Sequence, residues 1–147
     1  MSEPAPDTIL LDLFQTNQVR ERLLGAAFEG IELQPQDYPF YVLIGAEGPL
    51  TPTTLAARTE MPLSTVLFRT AKLEQRGHAE RVPNPEDRRS YLLRLTPAGA
   101  RLLAEARPRF RALAEAVEAR LGDEHIGSLR GGLAGLREAI EAELDAH

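Results

Sequence analysis

Residues 73–99 read LEQRGHAERVPNPEDRRSYLLRLTPAG, and this stretch contains the clearest structural signals of the chain. A helix is expected to end at Gly77, because glycine is the usual residue just after a helix C-terminus. Residues 79–83 and 90–95 then have the composition of two short β-strands, and the loop between them contains two prolines and a charged tip. The stretch therefore predicts a helix end followed by a β-hairpin, with a further helix after Thr96.

Two short helices are predicted immediately before the hairpin. Thr51 is an N-cap followed by proline at the first helical position, and this helix runs to about Thr59. A second helix begins at Pro62 and ends at Gly77. Its inner face is formed by residues spaced by three and four, namely Val66, Thr70 and Leu73. Two short helices across a tight link form a helix-turn-helix, and the hairpin forms a wing beside it.

Longer helices are predicted on both sides of this module. Their expected ranges are 7–30, 35–48, 97–121 and 123–146. Asp7 is the expected N-cap of the first. The third would be on the order of 37 Å long, which suits an arm of a dimer. Pro108 lies inside that third helix and removes one backbone hydrogen bond, so a kink or a break is expected near Arg107.

The composition excludes several classes of protein. The 147 residues include no cysteine, which excludes disulfides and thiol chemistry. No apolar run approaches the roughly 20 residues needed to cross a bilayer, and no signal peptide begins the chain, so a cytoplasmic protein without a membrane partner is expected. The net charge is −5, yet residues 51–101 contain nine Lys and Arg against five Asp and Glu. This basic middle allows DNA binding, because the local field of the contacting face matters more than the overall charge.

The order of elements and the residues of the opening stretch resemble the MarR family of bacterial winged helix-turn-helix regulators over nearly the whole chain. The matching positions are Leu73, Glu74, Arg76, Gly77, Glu80, Arg81, Asn84, Pro85, Asp87, Arg88, Arg89, Leu95, Thr96, Pro97 and Gly99. They correspond to the end of a recognition helix, an Asp-Arg wing tip and a Leu-Thr-Pro-x-Gly entry to the next helix. Each piece alone is common in unrelated proteins, whereas the combination is specific.

The resemblance implies a mainly α-helical fold with a small β-hairpin wing in one domain over residues 1–147. Residues 35–96 would form the winged helix-turn-helix DNA-binding region, and residues 7–30 and 97–146 the helical dimerisation region. It further implies a homodimer that recognises an inverted repeat in double-stranded DNA, represses transcription and is released by a small, often aromatic effector. No enzyme activity and no cofactor are expected.

Polar residues of the second short helix are predicted to contact DNA, because its N-terminal part can enter the major groove. These residues are Ser64, Thr65, Arg69 and Lys72. Ser64 and Thr65 have an equally good alternative, in which their hydroxyls satisfy exposed amides at the start of the helix. For Arg69 and Lys72 the alternative is a solvated helix face.

Phe68 is also a candidate DNA contact, although it departs from the polar residues expected of the family at this point. Phe68 and its neighbour Leu67 leave two interpretations open. They would either contact thymine methyl groups or pack within the domain. Packing is favoured.

The wing carries the stronger prediction. Arg88 and Arg89 lie on a loop that can reach an adjacent minor groove, where a narrow groove attracts arginine, and Arg89 is the better candidate. The resemblance implies that Asp87 pairs with an arginine of the wing and holds the loop in shape. The alternative is an exposed charged hairpin that makes no contact.

Aromatic residues of the first two helices are candidates for an effector site. They are Phe14, Phe28, Tyr38, Phe40 and Tyr41, of which most are expected to be core. His78 is expected at the surface or at the start of a strand. The three histidines are scattered, so no metal site and no catalytic residue is predicted. Two other functions stay open, namely a winged-helix module that binds protein and a small-ligand-binding protein without DNA contact.

Overall fold

The computed structural model describes residues 8–147. Its helices are α1 (Ile9–Ala27), α2 (Tyr38–Glu47), α3 (Pro52–Thr59), α4 (Leu63–Gln75), α5 (Pro97–Leu121) and α6 (Asp123–Asp145), and its strands are β1 (Ala79–Pro83) and β2 (Tyr91–Leu95). The prediction of a mainly α-helical fold with a hairpin wing is thus confirmed. The chain divides into two compact units, and the boundary between Arg109 and Phe110 lies inside α5. No helix between residues 8 and 147 is long and apolar enough to cross a membrane.

The N-cap of the first helix lies one position after the predicted cap. Asp7 lies outside the described residues, and Thr8 is the N-cap of α1. The Thr8 hydroxyl accepts a hydrogen bond of 3.2 Å from the amide of Leu11. It thereby satisfies one of the amides that have no partner inside the first turn of a helix.

The second helix begins later than predicted, because its start contains two prolines. Residues Pro35–Asp37 form a 3₁₀ turn, in which the amide of Tyr38 donates to the carbonyl of Pro35. Pro39 has no amide hydrogen and therefore cannot donate the α-helical bond to that same carbonyl. The α-helix proper starts at Tyr38, and Asp37 is left at the junction between the two.

Pro108 does not break α5. All residues of Pro97–Leu121 are helical, so of the two alternatives expected near Arg107, a kink or a break, the break is wrong. Pro108 removes a single hydrogen bond, whereas the rest of this 25-residue helix keeps its own. Arg109, the next residue, donates a hydrogen bond of 2.8 Å from Nη1 to the carbonyl of Glu29, which places a cation at the end of α1.

The hydrophobic core lies in the first unit. Its buried side chains are Phe28, Leu33, Tyr38, Phe40, Tyr41, Ile44, Leu55, Val66, Leu73, Ala79, Leu93, Leu103 and Ala106. In the second unit, residues 110–147, none of the side chains is fully buried. Its leucines and isoleucines are partly or largely exposed, and so are the apolar residues in the first half of α1.

The wing is an antiparallel hairpin in which Ala79 pairs with Leu95 and Pro83 with Tyr91. Leu50, just before α3, forms an additional bridge to Leu93, with backbone hydrogen bonds of 3.0 and 2.8 Å. This bridge could not be predicted from the sequence, because a single paired residue has no alternating pattern to reveal it. The bridge joins the wing to the start of the helix-turn-helix.

The Leu-Thr-Pro-x-Gly entry to α5 joins that helix to the end of α4. The Thr96 hydroxyl accepts from the amide of Gly99 at 3.1 Å, as an N-cap does, and donates to the carbonyl of Gly77. The Thr96 amide donates to the carbonyl of His78 at 3.0 Å. A Cβ at position 99 would overlap that carbonyl, so only glycine fits there without a backbone shift.

We therefore predict that Gly99→Ala lowers the free energy of unfolding by about 1–3 kcal/mol, because the added methyl forces α5 away from the end of α4. Urea denaturation at one fixed protein concentration measures the change. Gly25→Ala in α1 is the control, since its Cβ meets no atom within 4 Å and alanine favours helix by up to about 1 kcal/mol. Equal effects of the two substitutions would contradict the prediction.

Candidate nucleic-acid interface

The recognition helix α4 has one buried face and one free face. Val66, Thr70 and Leu73 are buried, as predicted, and the Thr70 hydroxyl donates to the carbonyl of Val66 at 2.8 Å. A helix turns by about 100° per residue, so Phe68 lies about 200° from both Val66 and Thr70. The side of α4 opposite the core is therefore available to a partner.

A buried ion-pair cluster holds α4 against the start of α2. The Asp37 carboxylate is fully buried, and its Oδ1 accepts a hydrogen bond of 3.1 Å from Nη1 of Arg69. Its Oδ2 lies 3.7 Å from Nη1 of Arg76, at the C-cap of α4. A buried carboxylate needs such cations to offset its lost hydration. Arg69, one of the predicted DNA contacts, is therefore engaged inside the protein.

Sequence reasoning missed Asp37 and Arg76 as parts of this cluster. The available signal was the position of Asp37, a single charge directly before the apolar run of residues 38–44. A charge that close to a core segment is rarely buried without a partner. The sequence does not say which of the chain's arginines supplies that partner, because Asp37 and Arg69 are 32 positions apart.

His78 is buried, so the expectation of a surface position is wrong, although it does directly precede β1. Its Nδ1 shares a hydrogen bond of 2.7 Å with the hydroxyl of Tyr41. Burial, followed by the Asp37 carboxylate, raises the pKa of Tyr41 to about 12. The hydroxyl thus stays protonated, and the pair links α2 to the residue at which the wing begins.

We predict that Asp37→Asn lowers the free energy of unfolding by about 2 kcal/mol, because it leaves two partly buried guanidinium groups without their carboxylate. Thermal and urea denaturation measure the loss. Glu47→Gln is the matched control, since Glu47 pairs with the exposed Arg58 at 3.0 Å and such surface pairs contribute at most about 1 kcal/mol. A loss no larger than that of the control would count against a structural role for Asp37.

Asp87 holds the wing tip through the backbone, not through an arginine side chain. Its Oδ1 accepts a hydrogen bond of 3.0 Å from the amide of Arg89, and its carbonyl accepts one of 3.1 Å from the amide of Ser90. In the part of the chain that the structure describes, the expected ion pair with a wing arginine is absent. Arg88 and Arg89 are exposed, and their guanidinium groups are free to bind an anion.

The base of the wing is tied to α4 by Arg81. Its guanidinium donates from Nε to Oε1 of Glu74 at 2.6 Å and lies 4.0 Å from the ring centroid of Tyr91. On the opposite edge Arg94 pairs with its cross-strand neighbour Glu80 at 2.7 Å. These contacts limit how far the hairpin can move relative to the recognition helix.

The interpretation that Leu67 and Phe68 pack within the domain is wrong. The side chains are 42% and 62% exposed. Phe68 instead lies beside Lys72, whose Nζ is 4.6 Å from the ring centroid, a cation–π geometry. The reason is helical phase, because Val66 and Thr70, two positions before and two positions after Phe68, face the core.

The two hydroxyl residues at the start of α4 also lie near this free face. Ser64 is exposed and Thr65 is partly buried. The N-cap is Pro62, and no side chain caps the helix there. The interpretation of Ser64 and Thr65 as capping residues thus finds no support, and the amides of the first turn stay available.

Most of the aromatic residues of the first two helices belong to the core, as expected. Phe28, Tyr38, Phe40 and Tyr41 are buried, and the rings of Phe28 and Tyr38 lie 5.2 Å apart. Phe14 is 59% exposed. Within residues 8–147 no group of three or more His, Asp or Glu side chains could hold a metal ion.

The order α3, α4, β1, β2, with an exposed helix face beside an arginine-bearing wing tip, defines a winged helix-turn-helix protein. A sequence model of the MarR family matches residues 33–90. The chain belongs to the MarR family of transcriptional regulators.

Three similar proteins give the extent of the likeness. A probable transcriptional regulator from Pseudomonas aeruginosa is 31% identical, and the match covers 88% of this chain and 97% of that one with a TM-score of 0.78. The multiple antibiotic resistance protein MarR of Salmonella typhimurium is 28% identical over 97 residues, 66% of this chain and 67% of its own length. The structure of a mutant MarR from E. coli, complexed with operator DNA, has a TM-score of 0.82 at 22% identity and covers 92% and 99% of the two chains.

Proposed function

We propose that the chain is a homodimeric repressor that binds an inverted-repeat operator in double-stranded DNA, and that a small aromatic effector releases it. One observation carries the proposal, namely that the face of α4 opposite the core and the tip of the wing are both exposed and both carry cations. Regulation, not catalysis, is the proposed activity. A cytoplasmic location follows from it, because the operator is there.

In this proposal α4 enters the major groove. Ser64 and Lys72 lie on its free face and offer a hydroxyl and an ammonium group to phosphates and base edges. The uncapped amides of the first turn favour a phosphate at the same end. Arg69 was predicted to contact DNA. In this proposal it instead positions α4, since its guanidinium donates a hydrogen bond to the buried Asp37.

The wing would contact the neighbouring minor groove through Arg88 and Arg89. The Asp87 carboxylate supports this role, because its bond to the backbone amide of Arg89 shapes the loop and leaves the guanidinium groups outside. Arginine is favoured in narrow minor grooves by their negative potential. Phosphate and groove contacts of this kind supply most of the affinity and make it strongly dependent on salt.

We predict that Lys72→Ala and Arg89→Ala each weaken binding by on the order of ten- to a hundredfold near 0.1 M salt, since a dimer loses two phosphate contacts. The slope of log affinity against log salt should become shallower by about two. Fluorescence anisotropy with a duplex that the protein selects from a random library measures both. Arg130→Ala is the control, since Arg130 is an exposed arginine of α6.

Two results would contradict this function. Failure to select any duplex would remove DNA binding altogether and would favour a protein-binding or ligand-binding module. Equal affinities and equal salt slopes for the three variants would show that α4 and the wing are not the contacting surface.

The terminal helices support a dimer. In the single chain, α1 and α6 each expose a row of apolar side chains: Ile9, Leu10 and Phe14 on α1, and Leu129, Leu133, Ile140 and Leu144 on α6. These α6 residues are spaced by four or seven positions, about one or two helical turns, so they form one stripe along the helix. Rows of this size are usually covered in a soluble protein. A two-fold axis would then hold two recognition helices about 34 Å apart, one turn of DNA.

We predict that Leu133→Glu converts the dimer to a monomer, because it places a charge in the middle of the α6 stripe. Sedimentation velocity measures the mass. Ala142→Glu adds the same charge to the opposite, exposed side of the same helix and should leave the dimer intact. A dimer in both variants, or a monomer in both, would contradict the assignment of this stripe to the interface.

A further inference from the structure

The exposed phenylalanine of α4 points to a specific base in the operator. We propose that Phe68 contacts the C5 methyl group of one thymine in each half-site and so determines specificity at that position. The inference rests on the proposed function and adds to it the identity of a recognised base. It assigns a role to the residue at which this chain departs most from a polar recognition helix.

Phe68 lies in the middle of the free face of α4. Phe68 lies opposite Val66 and Thr70, which are buried, and the residue is 62% exposed. Ser64 lies one turn before it and Lys72 one turn after it, so the three residues form a row along the free face. A side chain in the middle of that row meets whatever the helix binds.

The cation beside the ring identifies the kind of partner. The Lys72 ammonium lies 4.6 Å from the ring centroid, which holds the ring close to a positive charge. An apolar protein surface that covered Phe68 would also desolvate this ammonium group, which is unfavourable for a charge. The major groove instead offers apolar methyl groups on its floor and phosphates at its edge, so both side chains keep favourable partners.

The chemistry of the ring limits which base it can distinguish. Phenylalanine has no hydrogen-bond donor or acceptor, so it cannot recognise the polar edges of guanine, adenine or cytosine. Thymine alone among the four bases carries a methyl group in the major groove. Contact with that group would favour thymine, and the preference depends on the methyl group itself.

The test replaces thymine by deoxyuridine, which removes only the methyl group. The probe is the duplex that the wild-type dimer selects from a random library, with each thymine replaced in turn at both symmetric half-sites. At one position we expect the Kd to rise by about fourfold per methyl, equivalent to about 0.8 kcal/mol. The symmetric pair of replacements should therefore raise it by about fifteenfold. Phe68→Ala should bind both duplexes equally, with an unchanged melting temperature because the residue is exposed.

Leu67→Ala is the matched control, since Leu67 is the other exposed apolar residue of this pair and should keep the response to deoxyuridine. The inference is overturned if no thymine replacement changes the wild-type Kd by more than twofold, or if Phe68→Ala keeps the wild-type response. It is also overturned if Phe68→Ala changes the sedimentation of the DNA-free protein, because Phe68 would then be a protein contact. If the affinity of the selected duplex depends on Lys72 but not on any thymine methyl group, this inference is overturned and the proposed function is left intact. Selection of no duplex overturns both.

Discussion

The buried carboxylate of Asp37 is the constraint on which the presentation of the recognition helix depends. A charge without water around it is unfavourable unless cations come close, and here both cations belong to α4 or its C-cap, Arg69 and Arg76. Hydrophobic contacts are not directional, whereas a carboxylate with two guanidinium groups permits few arrangements. The contacts of Asp37 with Arg69 and Arg76 thus fix the rotation of α4 about its axis, with Phe68 and Lys72 on the side away from the core.

A second set of contacts begins where the first ends. The residue after Gly77 is the buried His78. Its ring shares a hydrogen bond with the hydroxyl of Tyr41, and its carbonyl accepts a hydrogen bond from the amide of Thr96. The start of α5 lies so close to that carbonyl that a Cβ at position 99 would overlap it, so the position requires glycine. The end of α4, the wing and the start of α5 therefore share one small junction, so the parts of the module that would contact DNA are held in a common frame.

Local signals were sufficient for most of the fold. Thr51 with its following proline, and Gly77, mark helix ends through interactions within a few residues of chain, and both positions agree with the structure. The spacing of Val66, Thr70 and Leu73 correctly gave the buried face of α4. The same local reasoning was wrong for Phe68, because apolar character was taken to mean burial although the helical phase placed the residue opposite that face. For His78 it correctly gave a position next to the start of a strand but not the burial, because the partner of its ring, Tyr41, lies in the distant α2.

By itself, then, the sequence determined the order of helices and hairpin, the wing with its arginine tip, and the family to which the chain belongs. These depend on caps, turns and periodicity, which act over a few residues. The folded chain was needed to show that Arg69 is bound to Asp37, that Asp87 accepts a hydrogen bond from a backbone amide and that Phe68 is exposed beside Lys72. Those outcomes depend on charges and surfaces that come together from distant parts of the chain, and the identity of each partner is a property of packing, not of local spacing.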